Sequence, residues 1–124
     1  MIINFNIPLN TAVALLNERM RWEFKFRKKA NYFDDKSDLS ELSYEELLPI
    51  VEAAAFDLVA FLPYDILIQQ NDLIEIFTNA IRSLSKIYGI EEFNKYSKKR
   101  CEKLFERLVE LYSKANTDKT FQYN

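Results

Sequence analysis

The sequence contains no histidine, one cysteine and one glycine in 124 residues. Without histidine, nucleophiles activated by an imidazole base and metal sites with a histidine ligand are excluded. One cysteine excludes thiolate cages for zinc or iron–sulfur clusters within one chain. Glycine-rich phosphate-binding loops need several glycines, so they are excluded as well. The sequence therefore predicts a protein that is not an enzyme and has no catalytic residues, cofactor or metal.

The low glycine and proline content also bears on the fold. One glycine and three prolines leave few positions for the positive-φ turns of β-hairpins, whereas helices tolerate this scarcity. The lone Cys101 excludes an internal disulfide, and the first nine residues lack the basic start of a signal peptide. The most apolar stretch, 47–62, is too short and too charged to span a bilayer. We expect a single cytoplasmic domain over residues 1–124 with no membrane contact.

Apolar periodicity predicts a compact, mostly α-helical bundle of about four helices. The segment 49–62 is apolar nearly all round, so we expect it to be a buried central helix surrounded by the others. Residues 1–10 alternate apolar and polar side chains, which is typical of a short extended arm. Residues 116–124 are expected to form a frayed tail.

Signals for helix ends are present at several positions. Ser43 with Glu46 forms a capping-box pattern and predicts a one-turn helix, after which Pro49 begins the central helix. Gly89 stands where a left-handed cap would end the most regular amphipathic helix. The last helix is predicted over about 91–115, with acidic residues in its first turn.

The segment 20–27 is ambiguous between helix and strand. Its side chains alternate strictly between apolar and charged, which indicates a strand and would add a minor β element. Placed at 100° per residue, however, the apolar residues from Val13 to Phe26 cover a face about 200° wide, and the preceding residues are good helix formers. We prefer a first helix that is capped at Asn10 or Thr11 and runs to about Ala30.

Two carboxylates and the cysteine are the remaining groups with chemical potential. Glu52 and Asp57 lie in apolar context but are about 140° apart on a helix, so they do not share a face as a metal site requires. We expect both to be exposed or paired with basic helices. Cys101 follows three cations, which favour a reactive thiolate, but it falls on an apolar stripe and is expected to be buried and inert.

A near-neutral total charge conceals strong patterning along the chain. The net charge is about +4 over residues 1–33, −10 over 34–79 and +4 over 80–124. If the first and last helices are neighbours, their cations form one basic face, which is the predicted partner-binding surface. The residues of this predicted surface are Arg19, Arg21, Lys25, Arg27, Lys28, Lys29, Lys95, Lys98, Lys99 and Arg100.

Three interpretations of this surface remain open. The first is a non-catalytic protein-interaction domain, such as a small adaptor, inhibitor or assembly subunit, whose partner is another protein or a second copy in a homodimer. The second is a nucleic-acid-binding accessory protein, because Trp22, Phe24 and Phe26 interleave with cations as in binders of single strands. In the third, these aromatics belong to the core and the basic ends cover the acidic middle segment. For the surface itself we favour the third interpretation, and among the functions we prefer a protein partner.

Overall fold

The structure, a computed structural model, describes residues 7–33, 35–60 and 70–122, and these ranges contain helices and no strand. The α-helices are α1 (Leu9–Lys29), α2 (Tyr44–Ala60), α3 (Gln70–Tyr88) and α4 (Lys98–Gln122). Two short 3₁₀ helices, Leu39–Glu41 and Glu91–Lys95, precede α2 and α4. The predicted mostly α-helical bundle of about four helices is confirmed. Residues 20–27 lie inside α1, so the preferred helix is correct and the strand is not.

The packing of the helices places α1 and α4 at opposite corners of the bundle. α1 packs against α2 and α3, and α4 packs against the same two helices. For the residues that the structure describes, neither α1 with α4 nor α2 with α3 forms an interface of comparable extent. The order around the bundle is therefore α1, α2, α4, α3.

The core fills the space between these four helices. Each helix contributes a stripe of buried side chains, because residues three or four apart share one face. The structure does not single out α2 as the centre expected for 49–62, since the interfaces form a ring; residues 61 and 62 lie outside the described ranges. The buried residues of α2 are Leu47, Ile50, Val51, Ala54, Ala55 and Val59.

α2 begins at the predicted capping box but does not stop before Pro49. Ser43 N donates to Glu46 Oε1 at 3.0 Å, and Glu46 N donates to Ser43 Oγ at 3.2 Å. Pro49 is the sixth residue of α2, so the carbonyl of Glu45 loses one helical donor. Because Pro49 is exposed, water reaches that carbonyl. The prediction of two separate helices was wrong, since burial of the flanking apolar residues outweighs one missing bond.

The predicted arm and tail also differ from the structure. Leu9 and Asn10 are helical, because the carbonyl of Pro8 accepts the first helical bond from Ala12 N at 3.0 Å. Residues 7 and 8 of the predicted arm are described and are not helical, and residues 1–6 lie outside the described ranges. At the other end α4 continues to Gln122, through most of the expected tail at 116–124. No glycine or proline interrupts residues 116–122, so nothing in the backbone breaks the helix.

The last helix begins later than the sequence predicted. Residues 91–95 form a 3₁₀ helix, and Ser97 caps α4 by accepting from Arg100 N at 3.0 Å through its hydroxyl. The carbonyl of Ser97 accepts from Cys101 N at 3.3 Å. Tyr96, between the two helices, is 2% exposed and belongs to the core. The prediction of one helix from 91 was wrong because this local cap competes with continuation of the helix.

The C-terminal cap at Gly89 is confirmed. Gly89 has φ +66°, and Ile90 N donates to the carbonyl of Ser85 at 3.1 Å, which is the bond of a Schellman cap. α1 ends in the same way, with Asn31 at φ 67° and Tyr32 N donating to the carbonyl of Arg27 at 3.0 Å. The two helices therefore share a cap geometry and differ in the residue that adopts it.

Gly89→Ala is expected to lower the free energy of unfolding by about 1 kcal/mol. An added Cβ at Gly89 meets nothing within 4 Å, so the cost comes from the left-handed backbone alone. Urea denaturation measures it. The matched control is Asn31→Gly. Glycine adopts the left-handed backbone of Asn31 without strain, so this variant should be slightly more stable than the parent. A Gly89→Ala protein as stable as the parent would contradict the left-handed cap.

Candidate interaction surface on the first helix

α1 is held in the bundle by one stripe of side chains. Ala12, Leu16, Met20 and Phe24 recur every four residues and are at most 6% exposed. Phe24 also stacks on Phe33 with 5.9 Å between ring centroids. These residues fix the rotation of α1 about its axis, so the direction in which its other side chains point is set by the core.

A second apolar stripe on α1 faces away from the core. Leu15, Trp22 and Phe26 are 48%, 61% and 73% exposed. At 100° per residue they lie within about 40° of one another, and from Leu15 to Phe26 they extend over about 16 Å of helix. We call these three residues the outer stripe. The interpretation of the aromatics as core is right for Phe24 and wrong for Trp22 and Phe26.

Hollows flank the outer stripe on both sides. One, of about 440 Å³, is lined by Trp22 and Phe26 together with Lys25, Lys28 and Lys29. The other, of about 280 Å³, is lined by the same two aromatics with Arg19 and Glu23. Trp22 and Phe26 thus form a ridge between a side with three lysines and a side of mixed charge.

The three lysines beside this ridge have no acidic partner among the described residues. The Nζ of Lys25 lies 5.9 Å from the centroid of the Trp22 ring, which is a cation–π contact. Lys28 and Lys29 are exposed in the last turn of α1. Their positive charges are therefore available to a ligand seated against the ridge.

The mixed-charge side contains a pair of carboxyl groups held by an arginine. Arg19 donates to Asp57 Oδ2 from Nε at 3.3 Å and from Nη2 at 3.1 Å. Glu23 lies one turn beyond Arg19 and is hydrogen-bonded to Asp57, and this bond, with burial and the negative charge of Asp57, raises the pKa of Glu23 to about 7. Arg27 and Arg19 partly oppose the rise. Near neutral pH Glu23 is therefore protonated in part of the molecules and donates to Asp57.

Glu52, the other candidate carboxylate of α2, is paired on a different side of that helix. Glu52 accepts from Arg100 Nε at 2.7 Å and from Nη2 at 2.8 Å, and from the hydroxyl of Tyr96 at 2.8 Å. Burial is the main cause that raises the pKa of Tyr96. Asp57 bonds α1 and Glu52 bonds α4, in agreement with their angular separation. The prediction that these carboxylates pair with the basic helices is confirmed.

The structure separates the predicted basic face into two clusters. The cations of α1 and those of α4 lie on helices at opposite corners of the bundle, so the condition for a single face is not met. Arg19, Arg21 and Arg100 already pair with acids of the chain, while Lys95, Lys98 and Lys99 are exposed. A third hollow, of about 440 Å³, is lined by Ser97, Lys99, Arg100 and Lys103 on α4.

The remaining reactive group is buried. Cys101 is fully buried, and burial raises the pKa of its thiol despite a hydrogen bond with Thr78. The prediction of a buried cysteine is confirmed. Within the described ranges no three acidic or cysteine side chains are grouped so that they could hold a metal ion, and no helix is long and apolar enough to cross a membrane.

Sequence reasoning named the aromatic residues of α1 but not their separation into two faces. We call the buried residues Ala12, Leu16, Met20 and Phe24 the core stripe. The core stripe and the outer stripe together make up the apolar face of α1 that was predicted to be about 200° wide. The regular spacing of four residues from Ala12 to Phe24 was the sequence signal that distinguished the two stripes. Comparisons of the chain with models of protein families, with curated proteins and with solved structures found no match. A functional proposal therefore depends on the geometry of this chain.

Proposed function

We propose that this chain is a non-catalytic protein-interaction domain, such as an adaptor, inhibitor or assembly subunit, that binds its partner through the outer stripe and the lysines beside it. The observation that carries the proposal is the exposure of Trp22 and Phe26 on a helix whose other face is fixed in the core. Large exposed aromatics on a rigid element are the residues that most often dominate protein interfaces.

The energetics of the outer stripe favour binding. A tryptophan and a phenylalanine one turn apart offer a large apolar area to a partner, at about 25 cal/mol per Å² removed from water. Because α1 is already ordered by its core stripe, little conformational entropy is lost when a partner binds. The exposed lysines steer an oppositely charged partner toward the ridge.

The basic cluster of α4 is a separate and weaker contact in this proposal. Lys98 and Lys99 are exposed, but Arg100 is already bonded to Glu52. No large exposed aromatic accompanies these cations among the described side chains. We expect Lys98→Ala and Lys99→Ala to change the rate of association more than the final affinity.

The test is affinity capture from the native cell extract with two variants of the whole chain. Trp22→Ser/Phe26→Ser is expected to weaken binding of the captured partner at least tenfold, because both contacts are lost. Calorimetric titration with the purified partner measures the affinity. Both side chains are exposed, so circular dichroism should show an unchanged helix content.

The matched control removes two exposed apolar side chains elsewhere. Ile87 and Leu111 are 52% and 44% exposed on α3 and α4, so Ile87→Ser/Leu111→Ser is expected to leave partner binding intact. A partner lost equally from both double variants, or a partner retained by both, would show that α1 does not carry the interface.

Single-stranded nucleic acid is the second candidate ligand. The observation in its favour is that the exposed Trp22 and Phe26 stand beside lysines that have no acidic partner among the described residues, as in stacking surfaces for bases. This reading requires an affinity that falls steeply with salt and is lost when Lys28, Lys29, Lys98 and Lys99 are replaced by alanine. Absence of binding to a thymidine oligonucleotide near 50 mM salt would remove it.

A further inference from the structure

We propose that the segment seated on the outer stripe is an acidic amphipathic helix of the partner protein. This inference rests on the proposed function and adds the chemistry of the partner. It combines the shape of the ridge, the charges beside it and the arrangement of the other charged residues of the bundle.

The length and shape of the surface fit a helix. The outer stripe extends about 16 Å, which is about three helical turns. The two hollows beside the Trp22–Phe26 ridge, of about 440 Å³ and 280 Å³, can receive apolar side chains that are three or four residues apart on a second helix. This is the helix-in-groove mode of recognition.

The charges require acidic residues in the partner. Lys25, Lys28 and Lys29 line the larger hollow and have no ion pair with described residues. Two acids of α2 are already engaged, since Asp57 is bonded to Arg19 and Glu52 to Arg100. Glutamate or aspartate beside the apolar anchors of a bound helix would supply the missing counter-charges.

A second copy of this chain fits the surface less well. In a two-fold symmetric antiparallel pair of α1 helices that cross at Trp22, the side with Lys25, Lys28 and Lys29 of one copy lies next to the same side of the other. The same positively charged flanks then meet across the interface. Such like-charge contacts disfavour self-association and leave the lysines without counter-charges.

Nucleic acid also fits less well than an acidic helix. A bound strand needs a continuous row of cations, but the lysines of α1 and α4 lie at opposite corners of the bundle. Glu18 is exposed next to the outer stripe and would repel phosphates. A nucleic acid strand carries a phosphate at every nucleotide, whereas a partner helix can carry acidic side chains only at the positions that face the lysines.

Selection from a displayed peptide library tests the inference with the intact chain. The library holds helical peptides whose apolar face varies among Leu, Phe and Ala and whose flanks vary among Glu, Lys and Gln. We expect the parent to enrich peptides with Leu or Phe at i, i+4 and i+7 and with Glu on the flanks. The triple variant Lys25→Glu/Lys28→Glu/Lys29→Glu should instead enrich peptides with Lys on the flanks.

Trp22 is the only tryptophan, so its fluorescence reports binding at this surface directly. The best acidic peptide, made without tryptophan, should shift the emission of Trp22 to the blue and bind at least tenfold more tightly than its Glu→Lys counterpart. A twenty-nucleotide thymidine strand is titrated in parallel. Three results would each overturn the inference. The thymidine strand could bind more tightly than the acidic peptide, the selected peptides could show no preference for Glu on their flanks, or the selection could enrich no peptide.

The two proposals fail in different ways. A partner that the parent captures and Trp22→Ser/Phe26→Ser loses supports the proposed function even if the library yields no acidic helix, and the inference alone is then wrong. Acidic peptides that bind Trp22→Ser/Phe26→Ser as well as the parent would also overturn the inference, because the outer stripe would then not be their site.

Discussion

Replacing Phe105 with alanine is expected to lower the free energy of unfolding by about 3–5 kcal/mol. The Phe105 side chain is 1% exposed and meets the ring of Phe77 edge-on, with 5.8 Å between centroids and 81° between planes. This contact joins α4 to α3. Removing the ring leaves a cavity at the interface that fixes which face of α4 is turned inward.

Urea denaturation followed by circular dichroism measures the loss. A domain of this size has a free energy of unfolding of about 5–15 kcal/mol, so the alanine variant can fail to fold. In that case Phe105→Leu, with an expected loss of about 1–2 kcal/mol, replaces it in the experiment. Leu111→Ala is the control, because Leu111 lies on the same helix and is 44% exposed. Equal effects at the two positions would mean that α4 is rotated from the position described.

Raising the pH from about 5 to 8 is expected to destabilise the protein, and Glu23→Gln is expected to remove much of this change. The pKa of Glu23 is about 7 in the folded chain against an ordinary value of 4.5, first through its hydrogen bond with Asp57 and then through burial. Between these values the folded state binds more protons than the unfolded state. The contribution of Glu23 to stability is therefore fully present below pH 4.5 and is lost as the pH rises through 7.

The expected loss is about 1–2 kcal/mol, which allows for solvent at this half-buried site. In Glu23→Gln the side-chain amide can donate to Asp57 at every pH, so the variant should exceed the parent in stability at pH 8 and match it near pH 5. Thermal denaturation at both pH values measures this difference.

Glu18→Gln is the matched control for the pH experiment. Glu18 lies on the same helix, is exposed, and contacts Arg21 at 3.7 Å, away from Asp57. The Glu18→Gln variant should therefore show the same difference in stability between the two pH values as the parent. If Glu23→Gln keeps the full pH dependence of the parent, the raised pKa of Glu23 is not its cause.

Local sequence signals predicted much of the secondary structure. The capping box at Ser43 and the left-handed glycine at Gly89 are in place because each depends on backbone and side-chain groups only a few residues apart. The helix starts predicted at Pro49 and Glu91 were wrong. At Pro49 the burial of the flanking apolar residues outweighs one missing bond, and before α4 the cap formed by Ser97 competes with continuation of the helix.

The candidate site was predicted only in part. Sequence reasoning named the cations of α1 and the aromatics between them, and it anticipated that Glu52 and Asp57 pair with basic helices. It made a single basic face conditional on the first and last helices being neighbours, because net charge along the chain contains no distances between helices. The ring order of the bundle separates them.

By itself, the sequence determined the helical class, the absence of imidazole and thiolate-pair chemistry, and the caps that end individual helices, since these follow from composition and short-range bonding. Only the tertiary structure decided which part of the wide apolar band of α1 is buried. Neighbouring helices cover the stripe that includes Leu16 and Phe24 and leave Trp22 and Phe26 in solvent. The reason is geometric: a helix buries only the residues that face its neighbours, and a 200° band exceeds the width that two neighbouring helices cover here.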